Sequence, residues 1–337
     1  MPNEVAKQEF ECAFGLAARV SGAVLRKGQI LVPAELAESY RKYSGEVGQR
    51  WIAGLPAMAA EYLDRWQLAI DGTVASGVVA LIVPVACRDG STAVLKLQPI
   101  DDETGGEPTA LKAWAGRGAV RLLEHDPATG AMLLERLDAA RDLATMEDDL
   151  AAATIIAELL VILNSAPVPV GMRRLGDVAA TILAETPQAI RLAADSNERE
   201  LLINCAGRLQ ELIIDPIDDR LLHWDLHYGN TLSTLCSGTE WKAIDPKPLS
   251  GDSGFELLPA LSNRWEDLVQ TGDVSRALLR RFDLMTEVVG LSRQRAAAWT
   301  LARVLQNAVW DLVSFGEDHL DPSQRAIAEV LIDRYPG

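Results

Sequence analysis

The sequence predicts an α+β fold in two parts, a small β-rich part followed by a larger helical one, and three observations predict it. From Trp66 to Arg136 short apolar runs alternate with turn residues, beyond residue 140 apolar residues recur at helical spacing, and a turn-rich segment from Leu221 to Ser253 interrupts the helices. At 337 residues the chain is also long for one minimal domain. The change in pattern sets two domains: residues 1–136, a helical N-terminal extension plus a β-rich lobe, and residues 137–337, a helical lobe.

Each element has its own warrant. Glu35 to Tyr62 reads as helix from the spacing of Leu36, Tyr40, Tyr43, Val47 and Trp51, with a break expected at Gly54-Leu55-Pro56. Gln67-Leu68-Ala69-Ile70 reads as a first strand ended by Asp71-Gly72, Val78 to Cys87 as a second and Ala93 to Leu97 as a third, with Arg88-Asp89-Gly90-Ser91 as the hairpin turn between the last two. A helix follows over Glu107 to Ala115. Strands over Ala119 to Leu123 and Ala131 to Leu134 then flank the turn Asp126-Pro127-Ala128-Thr129-Gly130. In the second half, helices are expected over residues 146–163, 175–184, 197–214, 274–289 and 293–315.

Composition narrows the function. Lys and Arg number 32 against 48 Asp and Glu, a formal net charge of -16. So negative a chain does not track a nucleic-acid backbone or an anionic membrane, although a local basic spot for a few phosphates is compatible with it. Cys12, Cys87, Cys205 and Cys236 lie far apart, which gives neither a zinc site nor a disulfide framework. The longest apolar run, Val78 to Ala86, has nine residues with Pro84 inside it, against about 20 for a membrane helix. The polar start, residues 1–7, lacks a basic stretch followed by an apolar one, so a cytoplasmic protein is expected.

The chemistry concentrates in Leu221-Leu222-His223-Trp224-Asp225-Leu226-His227-Tyr228-Gly229-Asn230 and in Trp241-Lys242-Ala243-Ile244-Asp245-Pro246-Lys247. An Asp, an Asn five residues later and a second Asp closing a following strand is a phosphoryl-transfer layout. Asp225 sits where a carboxylate accepts or orients the proton of an acceptor hydroxyl. Asn230 and Asp245 supply the hard oxygens that Mg²⁺ takes. His223 and His227 read as braces of the loop, because a zinc site would need further ligands. Lys96, in the third strand within Val94-Leu95-Lys96, is the candidate for the nucleotide phosphates; Glu107 is its expected ion-pair partner, with Glu103 the alternative.

His223-Trp224-Asp225-Leu226-His227-Tyr228-Gly229-Asn230 resembles the H-x-D-x-x-x-x-N motif of the aminoglycoside phosphotransferases. Residues 243–256, Gly116 to Leu123 and Leu133 to Leu137 are similar to the branch that contains streptomycin 6-phosphotransferases and hydroxyurea phosphotransferases. The resemblance spans roughly residues 66–267. It implies a protein-kinase-like two-lobed fold, ATP and Mg²⁺ as cofactors, and transfer of the γ-phosphoryl group to a hydroxyl of an aminoglycoside such as streptomycin. The partner it implies is a small, cationic or amino-bearing acceptor, with no nucleic acid and no membrane. By position it also implies that Gly72 and Gly77 flank a phosphate-covering loop and that the Glu135-to-Leu137 backbone meets adenine.

A polycationic acceptor calls for carboxylates, and Asp252, Glu256, Glu266, Asp267, Asp311, Glu317 and Asp318 are the candidates, weighed against solvated surface in so acidic a chain. Asn263-Arg264-Trp265 is placed beneath that pocket, and Trp299 and Trp310 read as core. Many members of the family carry His-Gly-Asp where this chain has His223-Trp224-Asp225, so the indole either narrows the acceptor site or packs behind it. A metabolic kinase for an amino sugar or another small hydroxyl compound is the alternative within the enzyme class. The alternative outside it is a nucleotide-binding pseudokinase acting as an interaction module, against which the presence of Lys96, Asp225, Asn230 and Asp245 speaks.

Overall fold

The computed structural model describes residues 30–336 apart from Asp215, Pro216, Asp218 and Ser237. The start of the expected N-terminal extension, with Cys12, lies outside the described residues. Two compact units emerge, one running to Arg141 and taking in Leu232–Glu240, the other formed by Asp142–Thr231 and the chain from Trp241 onward.

In the first unit, helices α1 (Ala34–Tyr43) and α2 (Gly45–Arg65) pack on an antiparallel sheet. Its strands are β1 (Ala69–Ile70), β2 (Ala75–Ser76), β3 (Leu81–Ala86), β4 (Thr92–Leu97), β5 (Leu122–His125) and β6 (Met132–Glu135), in the order β1-β3-β4-β6-β5 with β2 also on β3. Helix α3 (Glu107–Trp114) lies between β4 and β5 in the chain, and β7 (Leu137–Asp142) follows β6. Strand β3 shows why the sheet forms: Leu81, Val83 and Val85 are fully buried while Ile82, Pro84 and Ala86 are not, the period of two expected of a strand with one covered face.

The break expected at Gly54-Leu55-Pro56 does not occur; the chain breaks at Ser44 instead, and Pro56 lies inside α2. Leu55, Ala59 and Tyr62 are fully buried against the sheet. Burial of three such side chains outweighs the roughly 3 kcal/mol that an interior proline costs. The second strand starts at Leu81 rather than Val78, because Gly77 N–H donates to Ala80 O in a tight turn at 2.9 Å. The edge strand before it is split into β1 and β2 over Pro84, which has no N–H to give a partner strand. There Asp71 N–H donates to Pro84 O at 2.9 Å, and a Cβ on Gly72 would stand 3.0 Å from the proline ring.

The second unit is helical: α4 (Asp149–Asn164), α5 (Leu175–Leu192), α6 (Ser196–Leu212), α7 (Leu257–Ser262), α8 (Trp265–Gln270), α9 (Val274–Val289), α10 (Arg293–Val309) and α11 (Pro322–Arg334). Short strands β8 (Arg220–Leu222), β10 (Trp241–Ala243) and β11 (Leu249–Gly251) interrupt the run, and β9 (Thr231–Thr234) lies in the stretch that belongs to the first unit from Leu232 on. Helix α10 is the pillar, buried without a break from Trp299 to Val309 and packed on α5, α6 and α11. Its α-helical winding ends at Val309 and Trp310–Phe315 continues as a wider π-turn, so the helix expected to residue 315 is in two parts. Helix α5 runs on to Leu192 through Pro187, eight residues beyond its expected end. Arg281 of α9, fully buried, donates to the carbonyls of Ala260 (3.0 Å), Leu261 (3.2 Å) and Asn263 (3.0 Å) at the end of α7 and to Asp149 of α4 (2.6 Å). Five charge-assisted bonds from one guanidinium satisfy the helix end and tie three helices together.

Candidate active site

Strand β8 feeds the loop of the candidate residues, and β11 pairs with β8 antiparallel, Leu249 opposite Leu222. His223 is fully buried. Its Nε2–H donates to Ile244 O at 3.0 Å and its Nδ1 accepts the Asp225 N–H at 3.3 Å, an arrangement that only the neutral ring can make. His227 Nδ1 accepts the Gly229 N–H at 3.1 Å, and burial pushes its pKa down to about 4 against the pull of the Asp245 charge. Both imidazoles therefore brace the loop.

Asp225 and Asn230 come together directly. The Asn230 amide donates to Asp225 O at 3.0 Å and approaches Asp225 Oδ2 at 3.5 Å. With Nδ2 turned inward, Asn230 Oδ1 points the other way. The Ile244 N–H donates to Asn230 O at 2.9 Å, which makes Asp245 the next residue in line. Asp245 itself is left-handed, φ 59°, a conformation that L residues rarely take and that turns the chain sharply at the strand end. Asn230 and Asp245 thus offer two hard oxygens, the donor set with which proteins hold Mg²⁺ when phosphates and water complete its shell. Lys247, two residues on, places Nζ 3.0 Å from Asp225 Oδ2. Sequence reasoning quoted this lysine but gave it no part.

Beneath the loop lies a second layer that the sequence did not disclose. Glu256, fully buried, accepts the N–H groups of His223 (2.6 Å) and Trp224 (3.1 Å) through Oε1. Trp224 is left-handed at φ 68° and 1 % exposed. The guanidinium of Arg173 stands 4.2 Å from its ring centroid and that of Arg303 4.5 Å, with Phe255 and Trp310 rings at 6.4 and 6.3 Å. The indole packs behind the loop. Trp299 is fully buried, edge-on to Phe255 at 5.8 Å.

Burial raises the Glu256 carboxyl to about 7, against the opposing pull of the Trp224 and His223 N–H bonds and of Arg303. Because the folded state holds this proton more tightly than the unfolded one, the group makes stability fall as pH rises from the ordinary carboxylate range to about 7. Above that range the cost of the buried charge is fully present, and below it the cost is gone. Glu256→Gln is therefore expected to remove on the order of 2 kcal/mol from the stability lost between about pH 5 and pH 8. Urea unfolding of both proteins at the two pH values measures it, and an identical loss in both would refute the assignment.

In the first unit, Lys96 Nζ sits 2.8 Å from both carboxylate oxygens of Glu107, with side chains 4 % and 1 % exposed. Gln98 adds a bond of 2.6 Å to Glu107 Oε2. The partner is Glu107, at the start of α3. Gly72 lies at the split of the edge strand and Gly77 opens the β2–β3 turn, so the stretch between them contains β2 rather than an open loop. Arg136 clamps its start through Asp71, donating to Oδ2 at 2.7 Å and to the carbonyl at 3.0 Å. Glu135 closes β6, where its Oε2 accepts the Arg121 N–H at 3.1 Å, and the half-buried strand β7 begins at Leu137.

Several carboxylates considered for an acceptor are engaged in the fold. Asp252 is buried between Arg295 (2.7 Å) and the Gly254 N–H (2.9 Å), Glu256 serves the loop, and Asp267 pairs with Arg264 at 2.6 Å. Arg264 also donates to Met146 O at 2.8 Å and faces the Tyr228 ring. Glu266, Glu317 and Asp318 are exposed.

A sequence profile of the aminoglycoside/hydroxyurea antibiotic resistance kinases matches residues 65–314. A streptomycin 6-kinase of Streptomyces glaucescens is 52 % identical over 300 residues, 89 % of this chain and 96 % of that protein. A hydroxyurea phosphotransferase of Kitasatospora aureofaciens is 50 % identical over 305 residues, 90 % of this chain and 86 % of its own. Among solved structures, a thermostable mutant of the aminoglycoside phosphotransferase APH(4)-Ia superposes with a TM-score of 0.55 at 15 % identity, over 82 % of this chain and 98 % of that one. At that identity the likeness shows the fold, a kinase-like one with a β-sheet N-terminal region and a helical C-terminal region.

Proposed function

The chain belongs to the aminoglycoside/hydroxyurea antibiotic resistance kinases, and on that premise we propose that it moves the γ-phosphoryl group of ATP to a hydroxyl of streptomycin, at the position 6 that its relatives' name carries. The chain is an ATP-using small-molecule kinase, and the observation that carries the acceptor is the 52 % identity with a streptomycin 6-kinase along 96 % of that protein. In this reading Asp225 faces the acceptor hydroxyl and takes or orients its proton as the oxygen attacks phosphorus. Asn230 and Asp245 hold Mg²⁺, which when bound neutralises charge on the β- and γ-phosphates. Lys96, kept in place by Glu107, meets the α- and β-phosphates as a point charge. The segment between Gly72 and Gly77 covers the phosphates, and the backbone of Glu135 and Leu137 receives adenine. Exposed Glu266, Glu317 and Asp318 are the carboxylates open to an amino-bearing acceptor. No helix among the described residues is long and apolar enough to cross a membrane, and we place the reaction in the cytoplasm, where ATP is.

A coupled ADP-release assay with Mg-ATP tests the reading on streptomycin, other aminoglycosides, amino sugars and hydroxyurea. A kcat/KM on streptomycin above about 10⁴ M⁻¹s⁻¹ is the expected result. Turnover confined to hydroxyurea would move the acceptor to that of the Kitasatospora relative, and turnover confined to a sugar would make the chain a metabolic kinase. ATP binding with no acceptor turned over would leave a pseudokinase.

A further inference from the structure

Lys247 is placed with more care than a surface lysine receives. The left-handed turn at Asp245 and the following Pro246 reverse the chain, and the Lys247 N–H donates to His223 O at 3.0 Å, two residues before Asp225. Its side chain is 9 % exposed and ends 3.0 Å from Asp225 Oδ2, a carboxylate that is itself 16 % exposed. A lysine kept for solubility extends its ammonium into water; one turned inward gives up hydration and is tolerated only where a partner compensates.

The geometry of Asp225 shows what the contact does. An aspartate has two torsions, and a proton acceptor is useful only when its carboxylate is held in the direction of the attacking hydroxyl. Asn230 Nδ2 approaches Asp225 Oδ2 at 3.5 Å, at the limit of a hydrogen bond, and Lys247 Nζ at 3.0 Å. Of these two, the lysine holds it more closely.

We propose that Lys247 is a positioning residue of the phosphoryl transfer, acting through Asp225 to fix the direction in which its carboxylate meets the acceptor hydroxyl. The assignment rests on the reading of Asp225 given above. In the step it serves, the acceptor oxygen forms its bond to the γ-phosphorus as the bond from that phosphorus to the β,γ-bridging oxygen breaks. The electron pair of the broken bond stays on ADP, and the hydroxyl proton passes to Asp225 and on to solvent. Lys247 neither gives nor takes a proton. Its site is the end of the Asp245 turn, so the same left-handed residue that aims a metal-binding carboxylate also delivers the cation to the base.

The test is a double-mutant cycle in the full-length chain: Lys247→Met, Asp225→Ala and the pair, with Lys247→Arg as the conservative variant. Steady-state kinetics with Mg-ATP and streptomycin read kcat and both KM values. Lys247→Met is expected to lower kcat on the order of 10²-fold with KM for ATP within about threefold, and Lys247→Arg to recover most of the loss. In the Asp225→Ala background the same substitution should change kcat by less than about twofold, since there is then no carboxylate to aim. Equal losses in both backgrounds, an unchanged kcat, or a KM for ATP that rises in step with the loss of kcat would overturn the proposal. If Lys247→Met does not fold, Lys247→Arg against Lys247→Gln carries the same comparison. If the wild-type chain turns over no streptomycin, the acceptor reading falls by itself, and the cycle is read on its slow hydrolysis of ATP by water, where Asp225 faces the water instead.

Discussion

Asp225→Ala is expected to lower kcat on the order of 10³-fold while KM for ATP stays within about threefold, a transition-state loss of about 4 kcal/mol. The split follows from what Asp225 touches. Its carboxylate meets Lys247 at 3.0 Å and its carbonyl holds the Asn230 amide at 3.0 Å. The alanine variant keeps the carbonyl, so Asn230 and its oxygen remain aimed. It loses the carboxylate that is proposed to face the acceptor proton. The residues proposed to bind the nucleotide, Asp245, Asn230 and Lys96, are left unchanged, so Mg-ADP affinity is expected to persist, which isothermal titration checks. An Asp225→Ala enzyme with wild-type turnover would remove this residue from the mechanism, and one that has lost nucleotide affinity would make it a binding residue.

Replacing Trp224 is expected to produce the largest change in stability, and in an inverted order. The indole is 1 % exposed, stacked between two guanidiniums and flanked by two further aromatic rings. Removing a side chain of that kind costs about 3–5 kcal/mol in lost burial and residual cavity, and each cation–π contact adds to it. Elsewhere alanine is the milder replacement and glycine the harsher. At position 224, however, φ is 68°, where a Cβ costs about 1–2 kcal/mol and glycine costs none of it. Trp224→Gly should therefore be more stable than Trp224→Ala by about 1 kcal/mol in urea unfolding, although it removes more of the side chain. A glycine variant less stable than the alanine one would mean that the backbone relaxes and the strain is not real.

What could be read from the sequence divides along a physical line. Strands β3 and β4 were legible because each is a short apolar run and turn residues, Arg88-Asp89-Gly90-Ser91, separate the two. Asp225, Asn230 and Asp245 could be singled out because hard-oxygen chemistry restricts residue type and a loop between two strands restricts spacing, and the fold brings Asp225 and Asn230 together. Helix α2 was misjudged at Pro56, since the cost of an interior proline is local whereas the burial of Leu55, Ala59 and Tyr62 is set by a sheet that has yet to form. Helices α7 and α8, six residues each, are too short to show a period. Glu256 stood among seven candidate carboxylates for a cationic acceptor with nothing to single it out, because in a chain of net charge -16 nothing local separates a carboxylate bound to two backbone N–H groups from one in water. Lys247 was invisible for another reason: only a left-handed Asp245 brings its side chain back to Asp225. Backbone handedness at a non-glycine residue leaves no mark on composition.

The split of the chain into units has a consequence for its synthesis. Leu232–Glu240 belongs to the first unit, although the residues on either side of it belong to the second. Arg141 donates to Gly238 O at 2.9 Å, a bond between residues 97 apart. A nascent chain therefore cannot finish its N-terminal unit when residue 141 leaves the ribosome. It must wait until residue 240 has emerged, on the order of ten seconds later at about 5–20 residues per second, and by then α4, α5 and α6 are already outside. The first unit can close once residue 240 is out, whereas the second waits for its last helix, which ends at Arg334, and neither unit is one continuous piece of polypeptide.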